Sequence, residues 1–159
     1  MNINKGMYLE KLIDETINFH YEDEDFFFIK YHTKNAVTKT HKFLFISNNF
    51  VDYFGTYLNQ FFVIEAKQNN EDLFNFKRLN EKQTFILKKL FLMQVKCYLV
   101  FYFNIHDEFY LLDFKYINEK LLLNKKSIKY CEVKEFAIKL ELRLPGILNI
   151  KEVLGKLLK

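Results

Sequence analysis

The chain is short of the residues that most enzymes of small size rely on for metal binding or cross-linking. It has two cysteines, Cys97 and Cys131, and four histidines, His20, His32, His41 and His106. Two thiols so far apart support neither a zinc ribbon nor a disulfide framework, and they read as ordinary free cysteines. The histidines form no HExxH or comparable pattern, which argues against zinc hydrolase chemistry. Tryptophan is missing altogether. No apolar run reaches the length needed to span a bilayer; the longest, CYLVFYF at Cys97–Phe103, has the length of a buried strand. The stretch MNINKGMYLEKL has no secretory h-region, so a cytoplasmic protein without a membrane partner is expected. Internal repeats, low-complexity tracts and interdomain linkers are also missing.

What is present is apolar and aromatic. Half of the 159 residues are hydrophobic and 18% are aromatic, mostly Phe and Tyr. That suits one domain over residues 1–159 with a real core, and it excludes global disorder. The net charge of +4 alone says little about a polyanionic partner. Its distribution says more. Acids cluster in YEDED (Tyr21–Asp25), whereas residues 26–51 hold none and carry Lys30, His32, Lys34, Lys39, His41 and Lys42 among Thr33, Thr38 and Thr40. This stretch reads either as a solvated loop or as an arm that contacts phosphate, since Lys and Thr both donate to phosphate oxygens.

The periodicity predicts a helix over residues 7–20, with Gly6 at its start and Leu9, Leu12, Ile13 and Ile17 on one face. FFFIK (Phe26–Lys30) and KFLFIS (Lys42–Ser47) read as strands around the basic segment. Asn80 can cap a helix over roughly residues 81–94 with Phe85, Ile86, Leu90 and Phe91 inward. CYLVFYF and EFYLLDF read as strands joined by the turn NIHDE, and NIKEVLGKLL follows Pro145–Gly146 as a helical piece. The order implies an α/β protein, a mixed sheet with helices on its faces.

The stretch VDYFGTYLNQFFVIEAK (Val51–Lys67) sets charges into hydrophobic strands, which is costly unless they are paired, hydrated or metal-bound. A hairpin turning at Leu58–Asn59 puts Asp52 directly across from Glu65, with Lys67 on the same face as Glu65. Opposed Cβ atoms lie about 4.5–5.5 Å apart, so the two carboxylates repel unless a cation or proton lies between them. Magnesium accepts one or two carboxylates and leaves positions for phosphate, and Lys67 adds a positive charge beside it. Leu-Asn lacks the glycine of a tight turn, so a longer loop is an alternative. The same spacing also fits Glu65 and Lys67 as exposed edge-strand charges and Asp52 as a turn residue. Gly55 suggests a bulge or bend, and Tyr53 points away from the face of Asp52.

VDYFG followed by FFVIEAK resembles the catalytic hairpin of RecU-type Holliday junction resolvases, a branch of the PD-(D/E)xK nucleases. GMYLE (Gly6–Glu10), NEKQ (Asn80–Gln83) and KKSI (Lys125–Ile128) match in the same order, so the resemblance covers nearly the whole chain. It implies a restriction-endonuclease-like mixed sheet flanked by helices, with a short basic stalk at about residues 30–42. It also implies a homodimer that cuts four-way junction DNA by paired nicks in recombination and repair, with a recombinase as a further contact. Asp52 and Glu65 take the positions of the metal-binding carboxylates, for Mg²⁺ or Mn²⁺, and Lys67 that of the catalytic lysine. Gln83 falls on the helix glutamine that joins the metal site, although a capping box with Asn80 explains it equally well. Glu10 falls on a first-helix glutamate near the same site. Lys30, Lys34, Lys39 and Lys42 become DNA contacts of the stalk.

The sequence also departs from the family. HTKNAV lacks the proline-bearing entry to the stalk, the stalk is shorter, and NNFV supplies no threonine before Asp52. These departures motivate a second reading, a non-cleaving junction-binding recombination protein with a degenerate metal site. A nuclease of the same superfamily acting on linear or flapped duplex is a third.

Overall fold

The computed structural model describes residues 7–31 and 51–159. The Gly6 helix start, the KFLFIS strand and most of the basic stretch, including Lys34, Lys39 and Lys42, lie outside the described residues.

Helix α1 (Met7–Phe19) buries Leu9, Leu12 and Ile13 and packs Ile17, the stripe its spacing predicts. The chain then forms β1 (Phe26–Lys30), β2 (Tyr53–Tyr57), β3 (Gln60–Asn69) and the short β4 (Leu73–Asn75). A 3₁₀ turn, Phe76–Arg78, leads into α2 (Glu81–Leu92), and β5 (Lys96–Phe103) and β6 (Glu108–Asp113) follow. Beyond them come α3 (Phe114–Leu122), β7 (Ser127–Lys129), α4 (Tyr130–Phe136), β8 (Ile138–Leu140), β9 (Leu142–Arg143), β10 (Ile147–Leu148) and α5 (Ile150–Leu157).

Among the described residues six strands make the main sheet, in the order β1-β2-β3-β5-β6-β8. All neighbours are antiparallel except β3 and β5, which run parallel because the connection carrying α2 crosses between them. Side chains alternate along β3, so Phe62 and Ile64 join the core beneath α1 and α5, while Val63 joins the one beneath α2, α3 and α4. Burial of both faces explains why β5 reads as an unbroken apolar run.

Three expectations need correcting. EFYLLDF reads one residue too long: Asp113 closes β6 opposite Tyr98 and at the same time caps α3, its Oδ1 accepting from the Lys115 N–H at 2.8 Å, and Phe114 begins the helix. In α2 the buried residues are Gln83 and Leu87, with Leu90 and Phe91 packed below, while Phe85 stands 66% exposed. The stripe was misplaced because a polar residue, Gln83, heads it. Gly55 marks no bulge, since the ladder runs straight through Phe28, Gly55 and Phe62. A Cβ there would lie 2.2 Å from the Phe27 carbonyl oxygen and 2.7 Å from the Phe62 ring, so glycine permits a close approach instead. Among the described residues no helix is long and apolar enough to cross a membrane.

Candidate active site

The hairpin turns in two residues despite lacking glycine. Leu58 and Asn59 both take positive φ, 50° and 60°, the paired left-handed conformation whose twist matches that of the flanking strands. The register that follows pairs Tyr53 with Ile64 and Tyr57 with Gln60. One step further it brings Asp52 opposite Glu65. The β2 ladder ends at Tyr53, and the Asp52 side chain takes over: its Oδ2 accepts from the Ala66 N–H at 2.9 Å. That bond fixes the carboxylate at the point where β3 loses its neighbour.

Glu65 is fully buried, which rules out an exposed edge charge. Its Oε1 accepts from Lys67 Nζ at 2.6 Å and from Gln83 Nε2 at 2.5 Å. Its Oε2 is buried without a hydrogen-bond donor among the described residues. Burial pushes the carboxyl up to about 7; Lys67 opposes this, and the Asp52 charge adds to it. Gln83 also completes the capping box of α2, its N–H donating to Asn80 Oδ1 at 2.8 Å and its Oε1 accepting from the Asn80 N–H at 3.3 Å. One side chain therefore does both tasks, starting the helix and clamping Glu65.

Glu10 lines one polar pocket of about 270 Å³ together with Lys67, Gln68 and Arg78. Lys30 does not begin a free arm; its ammonium sits 3.0 Å from both Glu10 Oε2 and Asp14 Oδ2. The Tyr53 hydroxyl donates to Asp14 Oδ1 at 3.4 Å, and burial with the surrounding carboxylates holds that phenol protonated. The sequence reading missed Asp14 and Arg78. Asp14 was findable, one helical turn beyond Glu10. Arg78 was not, since it gains meaning only by folding back: its guanidinium donates to Asn69 Oδ1 and, at 2.6 Å, to the Gln68 carbonyl.

The donor set suits a hard divalent cation. A buried carboxylate oxygen without a partner beside a second carboxylate is an unfavourable arrangement that such an ion would relieve. Asp52 and Glu65 would hold it. Gln83 faces Glu65 through its amide N–H, so it would act on such an ion through that carboxylate. Among the described residues no group of three His, Cys, Asp or Glu side chains converges. Cys97 is buried and Cys131 exposed, both free.

Comparison with known proteins agrees with the geometry. The family model of RecU, recombination protein U, matches residues 4–156. A Holliday junction resolvase RecU from Mycoplasmopsis pulmonis is 32% identical over 146 residues, covering 92% of this chain and 90% of its own. Its counterpart from Ureaplasma parvum serovar 3 is 29% identical, covering 98% and 95%. Hjc, a Holliday junction resolvase from Archaeoglobus fulgidus, has the same fold, with a TM-score of 0.53 over 93% of this chain and 98% of that one at 13% identity. The mixed sheet is thus the restriction-endonuclease-like one expected, and the chain belongs to the RecU family.

Proposed function

We propose that this chain is a structure-selective endonuclease that resolves four-way DNA junctions by hydrolysing phosphodiesters, with Asp52, Glu65 and Lys67 as its catalytic core. The observation that carries the reading is Glu65: fully buried, one oxygen without a partner, facing Asp52 and held by Lys67 and Gln83. A fold that tolerates this arrangement keeps it for a purpose other than stability.

When bound at Asp52 and Glu65, Mg²⁺ or Mn²⁺ supplies Lewis acidity toward a phosphodiester oxygen and an acidified water. The chain does the rest. The Ala66 N–H pins Asp52, and Gln83 pins Glu65, so both oxygen donors are fixed before DNA arrives. Lys67, only slightly exposed at the floor of the polar pocket, offers its ammonium to the charge that grows on the phosphoryl oxygens. Glu10 balances the positive charge of that pocket, and its pairing with Lys30 anchors the base of the basic stretch. The lysines of that stretch, Lys34, Lys39 and Lys42, act as backbone contacts to the junction, which makes binding strongly salt-dependent. One chain offers one such site, and paired nicks on opposed strands need two, so the acting unit is a homodimer.

The test is nicking of a mobile four-way junction in Mg²⁺ and in Mn²⁺, comparing wild type with Asp52→Ala. Symmetric paired nicks that disappear in the variant are expected. Tight junction binding without nicks in either metal would replace this reading with that of a non-cleaving junction-binding protein. Equal cutting of linear duplex would make the substrate a different DNA structure.

A further inference from the structure

The outer face of α2 carries a second basic feature that the cleavage reading leaves unused. The 3₁₀ turn sends neighbouring residues to different places: Arg78 lines the catalytic pocket, and Lys77 lines a separate groove of about 430 Å³. Lys125 and Lys126 line that groove as well. They are drawn beside Lys77 by the pairing of Asn75 with Ser127 and by the Phe76 N–H, which donates to the Lys126 carbonyl at 2.9 Å. Helix α2 adds Phe85 and Lys88 on the side opposite Gln83, which faces Glu65.

Three observations point to an occupant. Among the described residues Lys77, Lys88, Lys125 and Lys126 form no ion pair, although Lys30, Lys67, Lys120 and Lys151 do. Glu81 is the one acid in the lining, so the groove is strongly positive. Phe85 stands 66% exposed among these lysines, above a floor that includes buried Phe76 and Leu79. Hydrated lysines alone need no such aromatic neighbour, whereas a nucleotide chain uses both, phosphates on the cations and a base or sugar on the ring. Finally, Arg78, next in the chain to Lys77, adds a cation on the side of the catalytic pocket, its guanidinium held by the neutral acceptors Asn69 Oδ1 and the Gln68 carbonyl.

We propose that this groove binds the DNA strand leading away from the cleaved phosphodiester, with the four lysines on its phosphates and Phe85 against a base or sugar exposed at the branch. The proposal rests on the junction-cleavage reading for the identity of the nucleic acid. The test uses the full chain and a fluorescein-labelled four-way junction in EDTA, with anisotropy titrations across a salt series. Removing two phosphate contacts in Lys125→Gln/Lys126→Gln is expected to reduce the slope of log affinity against log salt by about 2. Across a roughly fourfold salt range the variant then loses about tenfold less affinity than wild type. Phe85→Ala is expected to weaken binding about fivefold or more while leaving the slope alone. Thermal melts of both variants establish that they fold. If both fold and bind with wild-type affinity and slope, the proposal is overturned and the groove belongs to another partner, such as an acidic protein. The two readings fail separately. A chain that nicks junctions yet ignores these substitutions overturns only the groove, and a changed slope without nicking removes only the cleavage.

Discussion

Glu65→Gln is expected to make the metal-free protein more stable while abolishing cleavage. Burial raises the carboxyl from its ordinary 4.5 to about 7, so its ionised form is disfavoured in the fold. At about 1.4 kcal/mol per pH unit, that amounts to about 3 kcal/mol, present in full above pH 7. The penalty is relieved as pH falls through 7, and less than about 1 kcal/mol remains near pH 5, where the folded protein carries Glu65 protonated. Glutamine keeps the shape and an acceptor for Lys67 and Gln83 but carries no charge, so it should recover the penalty where the penalty exists. Urea unfolding at about pH 8 and about pH 5, in EDTA, measures it. The variant should exceed wild type by about 3 kcal/mol at the higher pH and by under about 1 kcal/mol at the lower. Adding Mg²⁺ should stabilise wild type and close the gap at the higher pH, a readout that needs no DNA. A variant no more stable than wild type at pH 8, or an advantage equal at both pH values, would refute the claim that the buried carboxylate is held under strain for metal binding.

Two further outcomes follow from the same structure. Below about pH 7 a cation must displace the Glu65 proton, so the Mg²⁺ concentration for half-maximal nicking should rise about tenfold per pH unit there and level off above; a flat dependence from pH 5.5 to 8 would contradict it. Gly55→Ala forces a Cβ to within 2.2 Å of the Phe27 carbonyl oxygen, and backbone cannot yield as a side chain does. The cost should be about 3 kcal/mol or more, a melting point lower by roughly 6–12 °C in a calorimetric scan, and an unchanged melt would show that the sheet can open there.

The hairpin register was legible because alternation of buried and exposed positions leaves few ways to pair two strands, and a one-residue slip would turn every side chain to the wrong face. The turn chemistry pointed the other way, since Asn59 tolerates positive φ but Leu58 is a poor candidate for it. The long apolar strands overrode that local preference. The capping box and the Gln83 contact were legible together from a single spacing. Contacts made across elements were not legible. Lys30 looked like the first cation of an arm because its partners, Glu10 and Asp14, lie 20 and 16 positions earlier on another element. Phe114 looked like part of the strand because an apolar residue after a strand-end aspartate and one that opens a helix after a capping aspartate read alike until the backbone turns.

Gln83 shows why the site survives its own cost. A buried carboxylate beside another would drive a small fold apart if its environment could relax. Here the clamp on Glu65 belongs to the first turn of α2, and Leu87, one turn later, is fully buried against the sheet. Moving Gln83 away from Glu65 means giving up the capping box, worth about 1 kcal/mol, or shifting a helix anchored by the core. The apolar pattern of the chain therefore holds the charges in place, and the energy stored at Glu65 would be available to a cation that relieves it.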